Sequence, residues 1–262
     1  MQESNEIDVL REEIQLLKDE KVRLDKMKSR LFSIVSHDIK SPLGILVGFA
    51  DVLMRHVDDT YDTKDDQQLA QIKGYLNDGK NKILTLLENL VNWVKIENGS
   101  VPYRATEIKI IKTLEALKTE LEPNATKKEI TVEVSGDEDL TCFGDATTFN
   151  VIIKNLLDNS IKYSEAGGII SLSATEENDS AIIEIKDSGT GIPSDNMDQI
   201  FEANKERVKP GTNGEQGIGL GLPVVKGFVS LNNGEIKVES EEGKGTSITL
   251  TFPSKAPKET NS

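Results

Sequence analysis

Apolar side chains recur at steps of three and four through the first hundred residues, a spacing that places them on one face of a helix. In residues 1–30 the steps alternate as in a heptad, and charged side chains fill the positions between them. This stretch predicts a coiled-coil helix that pairs in parallel with a second copy. In residues 31–98 the same period occupies two blocks, separated by the polar stretch 58–63. The two blocks predict a helical hairpin whose helices end near residues 57 and 97.

Each helix of this hairpin carries an apolar stripe. The stripe positions are Leu31, Val35, Ile39, Leu46, Phe49 and Leu53 in the first helix, and Leu69, Ile72, Leu76, Ile83, Leu87, Leu90 and Val94 in the second. Two antiparallel helices cannot bury both stripes by themselves. We therefore expect an all-α dimeric four-helix bundle, to which each chain contributes one hairpin.

The pattern changes at residue 99, where short alternating apolar segments typical of strands begin to mix with helical ones. We expect strands near 101–104, 130–134, 140–143, 169–174, 181–186, 235–240 and 246–252, and helices over 108–121, 146–163 and 220–231. Asp145 is a candidate N-cap of the second of these helices, and Pro123 is expected to end the first. Residues 99–253 thus predict an α+β domain with a mostly antiparallel sheet. The polar tail 254–262 is expected to be disordered.

Charge and composition narrow the class of partner. The formal net charge of −14 argues against nucleic acid or anionic lipid, because the field of the protein would repel polyanions. The single cysteine, Cys142, excludes a disulfide within the chain and fits a reducing compartment. No apolar run approaches the ~20 residues that a membrane-spanning helix needs.

One histidine lies off the apolar stripe of the first helix. His37 is followed by Asp38, and Ser41 lies one helical turn later, so we expect the imidazole to be accessible to solvent. A surface histidine beside a solvated acid is the simpler interpretation of an isolated His-Asp pair. The run Ser-His-Asp-Ile-Lys-Ser-Pro-Leu over residues 36–43, however, resembles the phosphoacceptor box of sensor histidine kinases.

Two asparagines mark one face of the helix predicted over 146–163. Asn155 and Asn159 are one turn apart, and Lys162 and Tyr163 follow on the next turn. Amide oxygens suit Mg²⁺ together with phosphates and water, lysine can place a charge beside phosphate, and the tyrosine ring can lie against a base. Asparagines at this spacing also occur on solvated helix faces, so this pattern by itself is weak.

Two glycine-rich stretches follow. Asp187 ends a predicted strand before Gly189, Gly191 and Ile192, where its carboxylate can accept the exocyclic amine of adenine. A tight turn closed by an Asx hydrogen bond is the alternative. The run 217–222 opens a helix, so its free amides can meet phosphate oxygens; the residues concerned are Gly217, Gly219, Leu220, Gly221 and Leu222. The charged stretch 195–216 between the two has the composition of a mobile lid.

In order and spacing these stretches resemble the catalytic domain of histidine kinases, with Phe201 in the phenylalanine box and Thr246 before the last strand. The resemblance implies a Bergerat-type (GHKL) ATP-binding sandwich that uses ATP and Mg²⁺, with Asn159 and Asn155 as metal ligands. Lys205 and Arg207 are then the two candidates for the lid cation that reaches the γ-phosphate. The family often has an aromatic-aromatic-arginine run shortly after the box phenylalanine, and this chain does not.

The resemblance further implies a protein histidine kinase. It would phosphorylate His37, use Asp38 as the orienting acid, and pass the phosphoryl group to an aspartate of a response-regulator receiver domain. Ser41 is a candidate for dephosphorylation of the regulator. We expect a cytoplasmic homodimer, either soluble or the cytoplasmic part of a membrane-bound sensor whose sensor domain lies upstream of this chain.

Two other classes of function are weighed against this one. A GHKL-type ATPase of the gyrase or chaperone kind carries a glutamate where Asn155 stands, and an amide cannot activate water as a base. A non-catalytic dimeric scaffold that docks a regulator would not need the full set of nucleotide motifs. Both alternatives are therefore less favoured than the kinase.

Overall fold

The computed structural model describes residues 15, 16, 18, 21, 40–60, 67–203, 208–215, 217 and 219–256. Contacts divide the chain into two compact units, Met1–Gly99 and Ser100–Ser262. Of the predicted coiled coil, only Gln15, Leu16, Lys18 and Lys21 are described, all with helical backbone. No described helix has both the length and the apolar character that crossing a membrane requires.

The first unit contains two helices, α1 (Lys40–Thr60) and α2 (Gln67–Glu97). Helix α1 runs three residues beyond the predicted end at Val57, because the polar residues that follow include no glycine or proline to stop it. The Nζ atom of Lys80 in α2 donates a hydrogen bond of 2.8 Å to Asp51 Oδ1 in α1, which joins the two helices. Leu87, Val91 and Val94 of α2 are buried.

The second unit is an α+β layer arrangement. Its elements are β1 (Ala105–Lys109), α3 (Ile110–Lys127), β2 (Thr131–Gly136), β3 (Thr141–Asp145), α4 (Ala146–Tyr163), β4 (Ile169–Glu177), β5 (Ser180–Asp187), a 3₁₀ helix (Ser194–Gln199), α5 (Gly221–Leu231), β6 (Glu235–Glu241) and β7 (Gly245–Pro253). A five-stranded sheet has the order β2-β4-β5-β7-β6, while β1 and β3 form a separate pair. Only β2 and β4 run parallel, so the predicted mostly antiparallel sheet is confirmed.

Alternate residues of the central strands face the core. Ile183 and Ile185 of β5 and Leu250 of β7 are fully or almost fully buried, as period-two alternation requires. Helix α4 buries the stripe Phe149, Ile152, Ile153, Leu156 and Leu157. The rings of Phe149 and Phe252 lie 5.5 Å apart between centroids, so this helix packs directly on the sheet. Asn155, Asn159 and Lys162 lie off this buried stripe and are half-buried.

Two element predictions are wrong. The strand expected at 101–104 begins at Ala105 instead, because Pro102 lacks a ladder donor and pairing with β3 starts at Ala105 opposite Asp145. The helix expected over 108–121 is α3, which continues through Pro123 to Lys127. Pro123 and Thr119 are both exposed, so the Thr119 carbonyl that loses its helical donor can be hydrated. Burial of Leu121 and Ala125 on the other face keeps the helix intact.

The end of the sheet also differs from the prediction. The disordered tail was expected from residue 254, but Ser254 N donates to Asp179 O at 3.1 Å and the Lys255 amine pairs with the Asp179 carboxylate. Ser254 and Lys255, the first two residues of the predicted tail, are therefore bound to the β4–β5 turn. Residues 257–262 lie outside the described part of the chain.

Candidate nucleotide site

Helix α4 carries the first group of site residues. It starts as predicted at Asp145, whose Oδ1 accepts a 2.9 Å hydrogen bond from Thr148 N and so caps the first turn. The amide nitrogen of Asn155 donates to Val151 O at 2.8 Å, which fixes the rotation of that side chain. Because the nitrogen is used within the helix, the oxygen Oδ1 is the atom that Asn155 presents to other groups.

The start of α5 lies against this flank of α4. A Cβ added at Gly221 would be 3.1 Å from Asn155 Oδ1 and 3.8 Å from Asn159 Nδ2, and one at Gly217 would be 2.6 Å from Lys162 Nζ. Only glycine permits such an approach at position 217 without displacing the lysine. The structure therefore brings together the glycine box and the asparagine face, although some 60 residues separate them in sequence.

The first turn of α5 contains backbone N–H groups that have no acceptor within the helix. No side chain caps this helix, and its first turn includes Gly221 and Leu222, whose N–H groups have no partner within a helix. Gly219 has a positive φ of 71° just before this turn. N–H groups without a helical partner and the positive end of the helix dipole favour an anion beside the two asparagines.

Asp187 lies at the end of β5 in a set of fixed hydrogen bonds. Its Oδ1 accepts from Gly189 N at 2.9 Å and from Thr246 N at 3.2 Å, and its Oδ2 accepts from Ser160 Oγ at 3.1 Å. Burial raises the pKa of this carboxyl despite the three hydrogen bonds, which act in the opposite direction. One lone pair of Oδ2 has no protein donor among these bonds, so it is the atom suited to accept from a base.

The loop after Asp187 is attached to its neighbours on both sides. Thr190 N donates to Tyr163 O at 3.0 Å, at the end of α4, and Ile192 N donates to Ser240 Oγ at 2.8 Å, in β6. The Ser240 hydroxyl also lies 2.9 Å from Thr246 Oγ1. Gly191, with a φ of 66°, packs against the backbone of Glu241. The loop is thereby held between α4 and the strands β6 and β7.

Lys162 and Tyr163 lie where α4 ends. The Lys162 Nζ is 4.7 Å from the centroid of the Tyr163 ring, and burial lowers the pKa of Lys162 although Asp158 and Glu215 oppose that shift. The Tyr163 hydroxyl donates to Lys209 O at 3.1 Å. Tyr163 thus contacts the backbone before the glycine box, and its expected contact with a base stays a prediction.

Other predicted site residues are placed only in part. His37, Asp38, Lys205 and Arg207 lie outside the described residues, and Ser41 is described by its helical backbone in α1 alone. The Lys226 amine of α5 lies 5.3 Å from the centroid of the Phe201 ring, which brings the phenylalanine box onto the helix that starts at the glycine box.

Sequence reasoning missed three residues near the site. Ser160 donates a hydrogen bond to Asp187. The sequence held one indication of this role, because Ser160 is a polar residue on the apolar stripe of α4. Lys128 and Glu215 form an ion pair of 2.9 Å and carried no signal, because each lies in a charged stretch with ordinary surface composition.

Comparison with known proteins gives the family. The model of the His Kinase A (phospho-acceptor) domain matches residues 27–99, and that of the histidine kinase-, DNA gyrase B- and HSP90-like ATPases matches residues 144–256. The autoinducer 2 sensor kinase/phosphatase LuxQ of Vibrio harveyi is 31% identical over 84% of this chain and 26% of its own length. The sensor histidine kinase YclK of Bacillus subtilis is 26% identical over 95% of this chain and 52% of its own length. The chain thus spans about half or less of the length of these two relatives.

Solved structures share the fold. A crystal structure of full-length ShkA in complex with AMPPNP has a TM-score of 0.66 at 22% identity, over 86% of this chain and 45% of that one. The Acinetobacter baumannii histidine kinase AdeS has a TM-score of 0.55 at 19% identity, over 84% of this chain and 98% of that one. The predicted fold class, a phosphoacceptor helical domain followed by a GHKL-type α+β sandwich, is confirmed. With both domain models matched in this order and curated sensor kinases among its relatives, the chain belongs to the sensor histidine kinases.

Proposed function

We propose that this chain is a protein kinase that transfers the γ-phosphoryl group of ATP to its own His37 and then to an aspartate of a response-regulator receiver domain. One observation carries the proposal: Gly221 at the start of α5 lies against Asn155, and Gly217 just before α5 lies against Lys162, so that groups suited to bind a nucleoside triphosphate are neighbours in the fold. In this proposal residues 1–30 form a signalling helix, residues 31–98 form the dimerisation and phosphotransfer domain, and residues 99–253 form the ATP-binding domain.

The chemistry requires charge neutralisation and positioning more than acid–base work. A neutral imidazole, with a reference pKa of about 6.5, attacks the γ-phosphorus, a nitrogen–phosphorus bond forms, and the bond to the bridging oxygen breaks to release ADP. Asp38 accepts a hydrogen bond from the N–H of the second ring nitrogen and so holds the tautomer, and it takes this proton when the other nitrogen is phosphorylated. Asn155 is no base for water, which favours transfer to histidine over simple hydrolysis.

The amide oxygens of Asn155 and Asn159 fit Mg²⁺, which prefers oxygen ligands and retains water and phosphate in its coordination sphere. Among the described residues no cluster of three His, Cys, Asp or Glu side chains offers a separate metal site. When bound, the ion neutralises phosphate charge. Lys162, whose pKa burial lowers, adds a second positive group on the same face.

Labelling from γ-labelled ATP tests the proposed kinase. We expect the wild-type chain to acquire label that acid removes and alkali does not, because a phosphoramidate bond to histidine is labile to acid. Label that survives acid would indicate a hydroxyl ester and would contradict the assignment.

Asn159→Ala is expected to reduce the gain in ATP affinity that Mg²⁺ provides by about tenfold, or ~1.4 kcal/mol, because it removes one oxygen ligand. Titration of ATP with Mg²⁺ and with a chelator measures this gain. Asn124→Ala, on the exposed side of α3, is the matched control and should keep the full gain. An undiminished gain in Asn159→Ala would remove this residue from the metal site.

We infer a homodimer from the apolar stripe of the helical hairpin. Phe49 and Leu53 of α1 are each 64% exposed, and Ile72 of α2 is 54% exposed. Light scattering should therefore report a mass near twice the 28.8 kDa of one chain. Phe49→Glu combined with Leu53→Glu should shift the population towards monomer, since it would bury charge in the bundle core. A wild-type monomer at micromolar concentration would contradict the bundle.

The Vibrio harveyi relative is a sensor kinase/phosphatase, which supports a second activity at the same helix. Ser41 lies one helical turn after His37, where its hydroxyl can orient water for dephosphorylation of the regulator. A lower rate of regulator-phosphate decay with Ser41→Ala than with the wild type would support this role, and equal rates would remove it.

A further inference from the structure

Lys128 is a buried lysine with three hydrogen-bond acceptors. Only 5% of its side chain is exposed, and its Nζ lies 2.9 Å from each of Ile161 O, Lys162 O and Glu215 Oε1. An ammonium group has three protons, so all of them are used. Two of the acceptors are carbonyls at the C-terminal end of α4, where a helix has no internal donors and its dipole favours a cation.

Glu215 closes a short turn that is fastened to the same helix end. Its Oε2 accepts from Asn213 N at 2.9 Å, and its backbone oxygen accepts from Gly211 N at 2.8 Å. Thr212 in this turn donates from N to Lys162 O at 3.1 Å and from Oγ1 to Ser164 O at 2.6 Å. Burial acts against ionisation of Glu215, but the hydrogen bonds that its carboxylate accepts from Lys128 and from the backbone N–H groups of Glu215 and Asn213 outweigh it and lower the pKa of the carboxyl.

This cluster adjoins the site at two points. Glu215 lies two positions before Gly217, which packs against Lys162 Nζ. Lys128 bonds the carbonyl of the same Lys162. The ion pair therefore links the carbonyl end of the asparagine helix to the backbone that leads into the glycine box. The described hydrogen bonds of Asp187 involve Ser160, Gly189 and Thr246 and none of the residues of this cluster.

We propose that Lys128 and Glu215 are positioning residues that hold the glycine box at the distance from α4 where both can contact the phosphates of ATP. The inference rests on the proposed ATP binding and adds to it a pair that touches neither nucleotide nor metal. A buried ion pair contributes little net stability, because desolvation of both charges offsets their attraction, but it fixes geometry. The pair should therefore govern recognition of the phosphates and leave recognition of the base alone.

The experiment compares ligands that differ in their phosphates. In Glu215→Gln we expect the affinity for ATP to fall about tenfold while the affinity for adenosine stays within about twofold of wild type. Lys128→Met should show the same selective loss, and the double variant should lose no more than the worse single one, because the two residues act as a unit. Lys128→Arg should retain much of the wild-type affinity for ATP.

The matched control is Glu120→Gln. It breaks the ion pair between Glu120 of α3 and Lys154 of α4, which joins these two helices at an exposed position. We expect its affinity for both ligands, and its melting temperature, to match wild type. Equal ATP affinity in Glu215→Gln and wild type would overturn the inference. An equal loss for adenosine and ATP would show a merely structural role and would also overturn it.

The design separates this inference from the proposed function. If the wild-type chain binds no ATP, the nucleotide site itself is misassigned. If wild type binds ATP and Glu215→Gln binds it equally well, only the role of the ion pair is wrong. Glu215→Gln keeps the size and an acceptor oxygen of the side chain, so the test does not depend on whether Lys128→Met folds.

Discussion

His37→Gln is expected to abolish labelling of the chain by γ-labelled ATP, the largest effect of any single substitution considered. Glutamine occupies similar space and has a high helix propensity, so it suits the helix that the sequence predicts at this position. Its amide nitrogen has no available lone pair, however, and cannot attack phosphorus. The residual label should be below about one part in a hundred of the wild-type signal, because no other group in the proposed mechanism accepts the phosphoryl group from ATP.

Two controls make this result specific. ATP affinity of His37→Gln should equal that of wild type, because no part of the proposed nucleotide site includes His37. His56, the only other histidine of the chain, lies in α1, and His56→Gln should keep full labelling. Full labelling of His37→Gln, or its loss in His56→Gln, would contradict the assignment.

Local signals explain which parts of the fold were predictable. Helix α4 was expected with the correct bounds because Asp145 marks its start and five apolar residues follow with helical period. The hairpin of β4 and β5 was expected for a similar reason, since alternation stops at a polar turn where Asn178 and Asp179 adopt positive φ. Signals of this kind lie within a few residues of each other and need no knowledge of the rest of the chain.

Features that depend on distant residues could not be predicted in this way. Helix α3 continues through Pro123 because tertiary burial of Leu121 and Ala125 outweighs one lost hydrogen bond. Strand β1 begins at Ala105 because its register is set by β3, some 40 residues later. The pairing of Lys128 with Glu215 spans 87 positions of sequence, and no local pattern distinguishes these two charges from solvated ones.

The residues of the candidate site also differ in whether sequence alone could predict them. The asparagines, Asp187 and the glycines were predicted as site residues because their types and order resemble a family, and the structure brings the described ones into two adjacent groups. Ser160 was missed because a serine in an apolar stripe has many explanations. Only the structure shows its hydroxyl donating to Asp187.

Asp187→Asn is expected to weaken ATP binding by roughly 10- to 100-fold, the range that corresponds to a mispaired buried polar group of about 1–3 kcal/mol. Oδ1 can be kept as the acceptor from Gly189 N and Thr246 N. The new Nδ2 then replaces Oδ2, so that a donor faces the exocyclic amine of adenine. The same donor would suit the 6-oxo group of guanine. Affinity for ATP should therefore fall more than affinity for GTP, and the ratio of the two affinities should fall.

The pKa of Asp187 adds a second, independent expectation. Because burial raises that pKa in the folded state, the ionised carboxylate costs stability that the protonated form does not. The contribution to stability is thus present below the unfolded pKa and lost as the pH rises through the folded one. Asp187→Asn removes the charge and should leave the free energy of unfolding unchanged or raise it, by on the order of 1 kcal/mol.

Nucleotide affinity should respond to pH in the opposite direction. Only the ionised carboxylate accepts from the base without offering a proton, so ATP affinity of the wild type should fall as the pH drops through the raised pKa of Asp187. In Asp187→Asn this component should vanish, because no group titrates at that position. Asp139→Asn, an exposed aspartate of the β2–β3 turn, is the matched control and should keep both the affinity and the pH profile of wild type. A pH profile in Asp187→Asn identical to that of wild type would show that another group sets the acid limb, and unchanged ATP affinity would move adenine recognition away from β5.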